Sequence, residues 1–106
     1  MSHVSTHVLD TATGRPARGL AVSLEGDGGV LASGSTGADG RITELGPDHL
    51  EPATYRLRFD TGRYAAETGT SGFFPEVVVA FVVKDTDHLH VPLLLSPFGY
   101  STYRGS

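Results

Sequence analysis

The stretch "TYRLRFDTGRYAAETG", residues 54–69, changes its period in the middle. Up to Asp60 it alternates. Tyr55, Leu57 and Phe59 fall on one side; Arg56, Arg58 and Asp60 fall on the other. Successive side chains of an extended strand point to opposite faces, so this segment reads as a strand with one apolar and one charged face. From Asp60 the alternation stops. Asp60 or Thr61 offers an N-cap oxygen, Ala-Ala-Glu favours helix, and Gly69 supplies a stop. This is the one helical candidate in the chain, and it decides the fold class: strands throughout, with a single short helix near the middle.

Outward from this switch the pattern keeps a period of two, punctuated by glycine, proline and aspartate. Toward the N-terminus, the segment from His3 to Asp10 sets Val4, Thr6 and Val8 against His3, Ser5, His7 and Leu9. "TATGRPARG" supplies turn residues, and "LAVSLEG" then places Leu20, Val22 and Leu24 on one face. The glycine-rich stretch from Gly26 to Gly40 encloses a short strand at Val30 to Ser33 between tight turns. The turn "ADGR", residues 38–41, leads into a strand at "RITEL".

Toward the C-terminus, "TSGFFPE" is a loop whose Phe73 and Phe74 cover the core. "EVVVAFVV" is apolar on both faces and is expected to be a central or well-covered strand. "HLHVPLLLS" and "GYSTYRG" are the last two strands, joined at Ser96-Pro97-Phe98-Gly99. Pro92 removes a ladder donor and predicts an edge, a strand start or a bulge. Together these are about eight short strands and one helix with no parallel βαβ rhythm, hence an all-β antiparallel sandwich in one domain over residues 1–106.

Composition narrows the functional classes. Eight basic and twelve acidic residues leave a net charge of −4, and no basic stretch resembles a nucleic-acid footprint. With no cysteine, there is no disulfide, thiolate nucleophile or cysteine metal site. The N-terminus lacks a basic region followed by an apolar one, and the longest apolar run, Val77 to Val83, is too short to span a bilayer. A cytoplasmic protein without a membrane partner is expected.

Five histidines stand out, because histidine alone titrates unperturbed near neutrality. His88 and His90 form H-x-H on a strand and share a face. That spacing suits either a metal pair lacking its other ligands or two solvent-facing imidazoles. His7 lies opposite the Val4/Val8 stripe, and Arg41 follows a turn; each by itself reads as a surface residue. No GxSxG, HExxH or phosphate-binding glycine loop is present.

Taken together, "STHVLDTATGRPA", "ADGRI" and "HLHVPLLLSPFGYSTYRGS" resemble the 5-hydroxyisourate hydrolase branch of the transthyretin-like family, essentially end to end. The terminal Tyr103-Arg104-Gly105-Ser106 matches that branch's signature ending. The resemblance implies a two-sheet sandwich of eight strands, with the helix after the fifth. The first and seventh strands lie side by side, which brings His7 and His90 onto one face. It implies a homotetramer, a dimer of dimers, with clefts at the interface lined by C-terminal residues.

The catalytic residues carried over are His7, Arg41 and His90. The substrate-binding set is His7, Arg41, Tyr103, Arg104, Gly105 and Ser106. No metal and no cofactor are implied. The reaction is opening of 5-hydroxyisourate to 2-oxo-4-hydroxy-4-carboxy-5-ureidoimidazoline in urate catabolism. The alternative is a non-catalytic transthyretin-like carrier of a small ligand, although transthyretin itself lacks the two histidines, the arginine and the YRGS ending.

The residue types suit hydrolysis. A histidine with a pKa of about 6.5 is matched to general acid–base work at neutral pH. An arginine offers a permanently charged planar fork to substrate oxygens. Either histidine could be the base. The tail reads as part of the cleft wall, which a longer tail would fill.

Overall fold

The computed structural model describes residues 2–106. The change of period at Asp60 marks the passage from strand β6 (Ala53–Phe59) to helix α1 (Thr61–Thr68). The Asp60 carboxylate accepts the Arg63 N–H, and Gly69 closes the helix at φ 70°, returning its N–H to the carbonyls of Ala65 and Ala66. Both caps satisfy backbone groups that a helix end leaves open. Tyr64 then ties the helix to the first strand by donating to Asp10 Oδ2 at 2.9 Å. Burial and then the neighbouring Asp10 push its phenol up to about 12.

The other strands are β1 (Val4–Asp10), β2 (Arg15–Pro16), β3 (Ala21–Gly26), β4 (Gly29–Ser35), β5 (Arg41–Ile42), β7 (Val77–Val83), β8 (Leu89–Ser96) and β9 (Gly99–Thr102). One sheet runs β2-β1-β8-β9, with β5 also paired to β1. The other runs β4-β3-β6-β7. Their inner faces meet in a core that includes Val4, Val8 and Leu93 from one side and Val22, Leu24, Leu57 and Phe59 from the other, each no more than 2% exposed. These are the apolar halves of the alternating segments, so the period-two reading holds at the level of packing. Among the described residues, no helix is long and apolar enough to cross a membrane.

Four features differ from expectation. The strands number nine among the described residues, because the turn stretch "TATGRPARG" forms the short strand β2 against the end of β1. The adjacent pair is therefore β1 and β8. Second, that pair is parallel, in unbroken register from Val4↔Leu89 to Asp10↔Leu95, so the sandwich is not purely antiparallel. A tight turn imposes antiparallel pairing on the strands it joins, whereas β1 and β8 are separated by the whole of the other sheet.

Third, β7 is an edge strand rather than a central one. It alternates in burial, and Val78 and Val82 are exposed. Fourth, Pro92 sits in the middle of a strand flanked on both sides. It is tolerated because its missing N–H faces the β9 side, where its carbonyl meets the Thr102 hydroxyl. The β9 ladder lapses there and resumes in the same register at the His90↔Gly105 bridge.

Candidate active site

Three strands bring the candidate residues onto one outer face of the β1–β8 sheet. His7 on β1 lies opposite Arg41 on β5, and Ser5 lies opposite His90 on β8. Alternation keeps Val4, Thr6 and Val8 in the core and turns these polar side chains outward. Gly40 makes the approach of Arg41 possible. At φ 77° its hypothetical Cβ would fall 2.5 Å from the Val8 carbonyl oxygen and 3.3 Å from Cδ2 of His7. Only glycine combines that backbone conformation with so close a contact. The turn is held by Val8 N–H donating to Gly40 and by Arg41 N–H donating to the Asp39 carboxylate.

His88 and His90 both direct a ring nitrogen at Ser5. Nε2 of His88 and Nδ1 of His90 each lie 2.8 Å from the Ser5 hydroxyl oxygen. Nδ1 of His88 lies 3.0 Å from the Ser2 carbonyl oxygen. The H-x-H pair thus shares a face, as its spacing predicts, and it converges on a hydroxyl. Among the described residues, no three His, Asp or Glu side chains stand together in a metal-binding group. The other histidines are elsewhere: buried His3 accepts the Leu50 N–H, and its ring lies 5.8 Å from that of His49.

The tail closes the site from the other side. Gly105 N–H donates to the His90 carbonyl at 2.8 Å. A Cβ on Gly105 would fall 2.6 Å from Cδ2 of His90, so the tail backbone lies flat against the imidazole. Arg41, His88, His90 and Ser106 share the lining of an open pocket of about 180 Å³. Tyr103 and Arg104 line a separate groove of about 260 Å³ against Val79–Val82 of β7 and against Leu89 and Val91. Within one chain, then, His7, Arg41, His90, Gly105 and Ser106 are gathered together, while Tyr103 and Arg104 face the β7 edge.

The imidazole of His90 is held below its ordinary value of 6.5. Burial is the largest cause, followed by the positive charge of Arg41 and then by His7 and His88. A neutral imidazole beside a guanidinium is a base in reach of a group that binds oxyanions. Sequence reasoning missed Ser5 and left His88 without a role. The signal for Ser5 was its place on the His7 side of the alternation, which places a residue on a face without naming its neighbour.

A two-sheet sandwich whose outer face presents three histidines and an arginine, with the C-terminal strand passing beside them, defines a transthyretin-type domain furnished for proton transfer. The chain matches the HIUase/Transthyretin family over residues 4–105 and belongs to that family. It is 47% identical over 113 residues to the 5-hydroxyisourate hydrolase of Mus musculus, covering 99% of this chain and 96% of that one. To the 5-hydroxyisourate hydrolase of Caulobacter vibrioides it is 43% identical over the full length of both. The solved 5-hydroxyisourate hydrolase of Klebsiella pneumoniae superimposes with a TM-score of 0.91 at 43% identity, covering 97% of this chain and 98% of that one. Sea bream transthyretin, solved with thyroxine, superimposes at 0.87 with 30% identity over 96% and 93% of the two chains.

Proposed function

We propose that the chain hydrolyses 5-hydroxyisourate to 2-oxo-4-hydroxy-4-carboxy-5-ureidoimidazoline in urate catabolism. The observation that carries this reading is the meeting of His7, Arg41 and His90 on one sheet face, in a chain whose full-length relatives bear the hydrolase name. Water adds to the acyl carbon of the ring C–N bond and gives its proton to a histidine. Arg41 receives the developing oxyanion in its donor fork. The C–N bond then breaks, and the leaving nitrogen takes a proton from the second imidazole. His7 and His90 divide these two roles. Gly105 and Ser106 border the reacting groups.

Tyr103 and Arg104 contribute to the substrate site through assembly. The β7 and β9 edges carry exposed Val78, Val82 and Tyr100, the tail adds exposed Tyr103, and an unpaired apolar edge invites a second copy. A homotetramer built as a dimer of dimers would cover this edge and close the cleft around the tail.

The test is the decay of 5-hydroxyisourate generated in place by urate oxidase. The wild-type chain should accelerate decay. His7→Asn, His90→Asn and Arg41→Ala should each lower turnover by about 10²- to 10⁴-fold while remaining folded. A ligand carrier would leave the spontaneous rate unchanged, and three folded variants at wild-type rates would overturn this assignment of the site.

A further inference from the structure

The hydrogen bonds around His90 have a direction, and one atom sets it. The Ser2 carbonyl oxygen can only accept, so its 3.0 Å contact requires a proton on Nδ1 of His88. Neutral His88 then carries a lone pair on Nε2, which accepts from the Ser5 hydroxyl at 2.8 Å. That hydroxyl has a single proton. Having donated it to His88, the oxygen is an acceptor toward Nδ1 of His90, also at 2.8 Å. His90 is therefore protonated on Nδ1, and its lone pair sits on Nε2. The burial of Ser5, 7% exposed, shields the middle of this chain from competing water.

We propose that His88, acting through Ser5, is a positioning residue that holds His90 in its Nδ1–H tautomer and so makes Nε2 of His90 the base that takes the water proton. This rests on the hydrolytic reading above and deepens it. When Nε2 gains the proton, the ring becomes an imidazolium whose Nδ1–H still donates to Ser5. The chain of hydrogen bonds needs no rearrangement during the step, and no proton has to travel along it. His7, which stands outside the relay opposite Arg41, is left to protonate the departing nitrogen. An imidazole without such an anchor divides itself between two tautomers, one of which has no lone pair at the reacting nitrogen.

The experiment reads the tautomer directly. Two-bond proton–nitrogen correlation spectra of nitrogen-15-labelled protein at pH 8 distinguish a protonated ring nitrogen from an unprotonated one. In the wild-type protein, His90 should show an unprotonated Nε2. His88→Phe keeps a ring in an exposed position and removes both nitrogens. It should give mixed His90 tautomers and a roughly tenfold lower kcat with little change in KM. His88→Gln returns an acceptor to the position of Nε2 and should recover part of both signals.

Ser5→Ala should match His88→Phe; should it fail to fold, the two exposed-site variants decide the matter. A wild-type His90 protonated on Nε2, or a His88→Phe protein with wild-type tautomer and turnover, would overturn the proposal. Should the wild-type chain leave 5-hydroxyisourate decay unchanged, the reaction falls, while the spectra still decide whether His88 sets the tautomer.

Discussion

His7 and His90 are each backed by a glycine, and the closeness of that backing makes the site sensitive to one methyl group. A Cβ on Gly105 would overlap Cδ2 of His90, the carbon bonded to the nitrogen proposed as the base. Gly105→Ala is expected to displace the ring and lower kcat at least tenfold, with a thermal midpoint close to wild type. Decay assays and thermal unfolding on the same preparation check both halves. The pH dependence follows from the same ring. Because His90 is held below 6.5, the acidic limb of the kcat/KM profile, which reports loss of the base, should lie beneath that value.

Stability carries the same signature. Between the ordinary value and the lowered one, the unfolded chain binds more protons at this position than the folded one. The contribution is therefore present above pH 6.5 and is lost as pH falls through the folded value. Urea midpoints at pH 5 and pH 7 should differ less in His90→Phe than in wild type. His7, Arg41 and His90 could be named as candidates through the motifs that carry the family resemblance, and the sheet pairing places them on one face. Ser5 could not, since a lone serine among polar residues has no spacing that singles it out.

At the scale of elements, the alternation and the caps were enough to read β6 and α1. The position of β7 was not legible. An apolar pattern on both faces signals cover, but it does not say whether the cover comes from the same chain or from another copy. In this chain β7 is an edge with Val82 54% exposed. Val82→Glu is expected to weaken the proposed self-association without unfolding the sandwich, which sedimentation velocity and circular dichroism would show together; an unchanged assembly would remove β7 from the proposed interface. The tail offers a second test. The regular β9 ladder ends at Thr102, and beyond it the Gly105 bridge joins the tail to β8. Deleting Tyr103 to Ser106 should therefore reduce turnover much more than the unfolding midpoint. Equal activity would make the tail dispensable.

For the molecule as a whole, the two histidines come from opposite ends of the chain and meet only through the parallel pairing of β1 with β8. Pattern reading could place each on an outer face, and resemblance put their strands side by side. Its direction was hidden, because periodicity is the same in both orientations. That pairing has a kinetic consequence. It joins residues 85 apart in sequence, and closing so long a loop costs about 2 kcal/mol more than closing one of about ten residues. The β3–β4 hairpin and the β6–α1–β7 unit need no such closure. In refolding from denaturant, amide protection in β3, β4, β6 and β7 should precede protection in β1 and β8. Hydrolytic activity should return with the later phase, so the order of folding separates the acquisition of structure from the acquisition of catalysis.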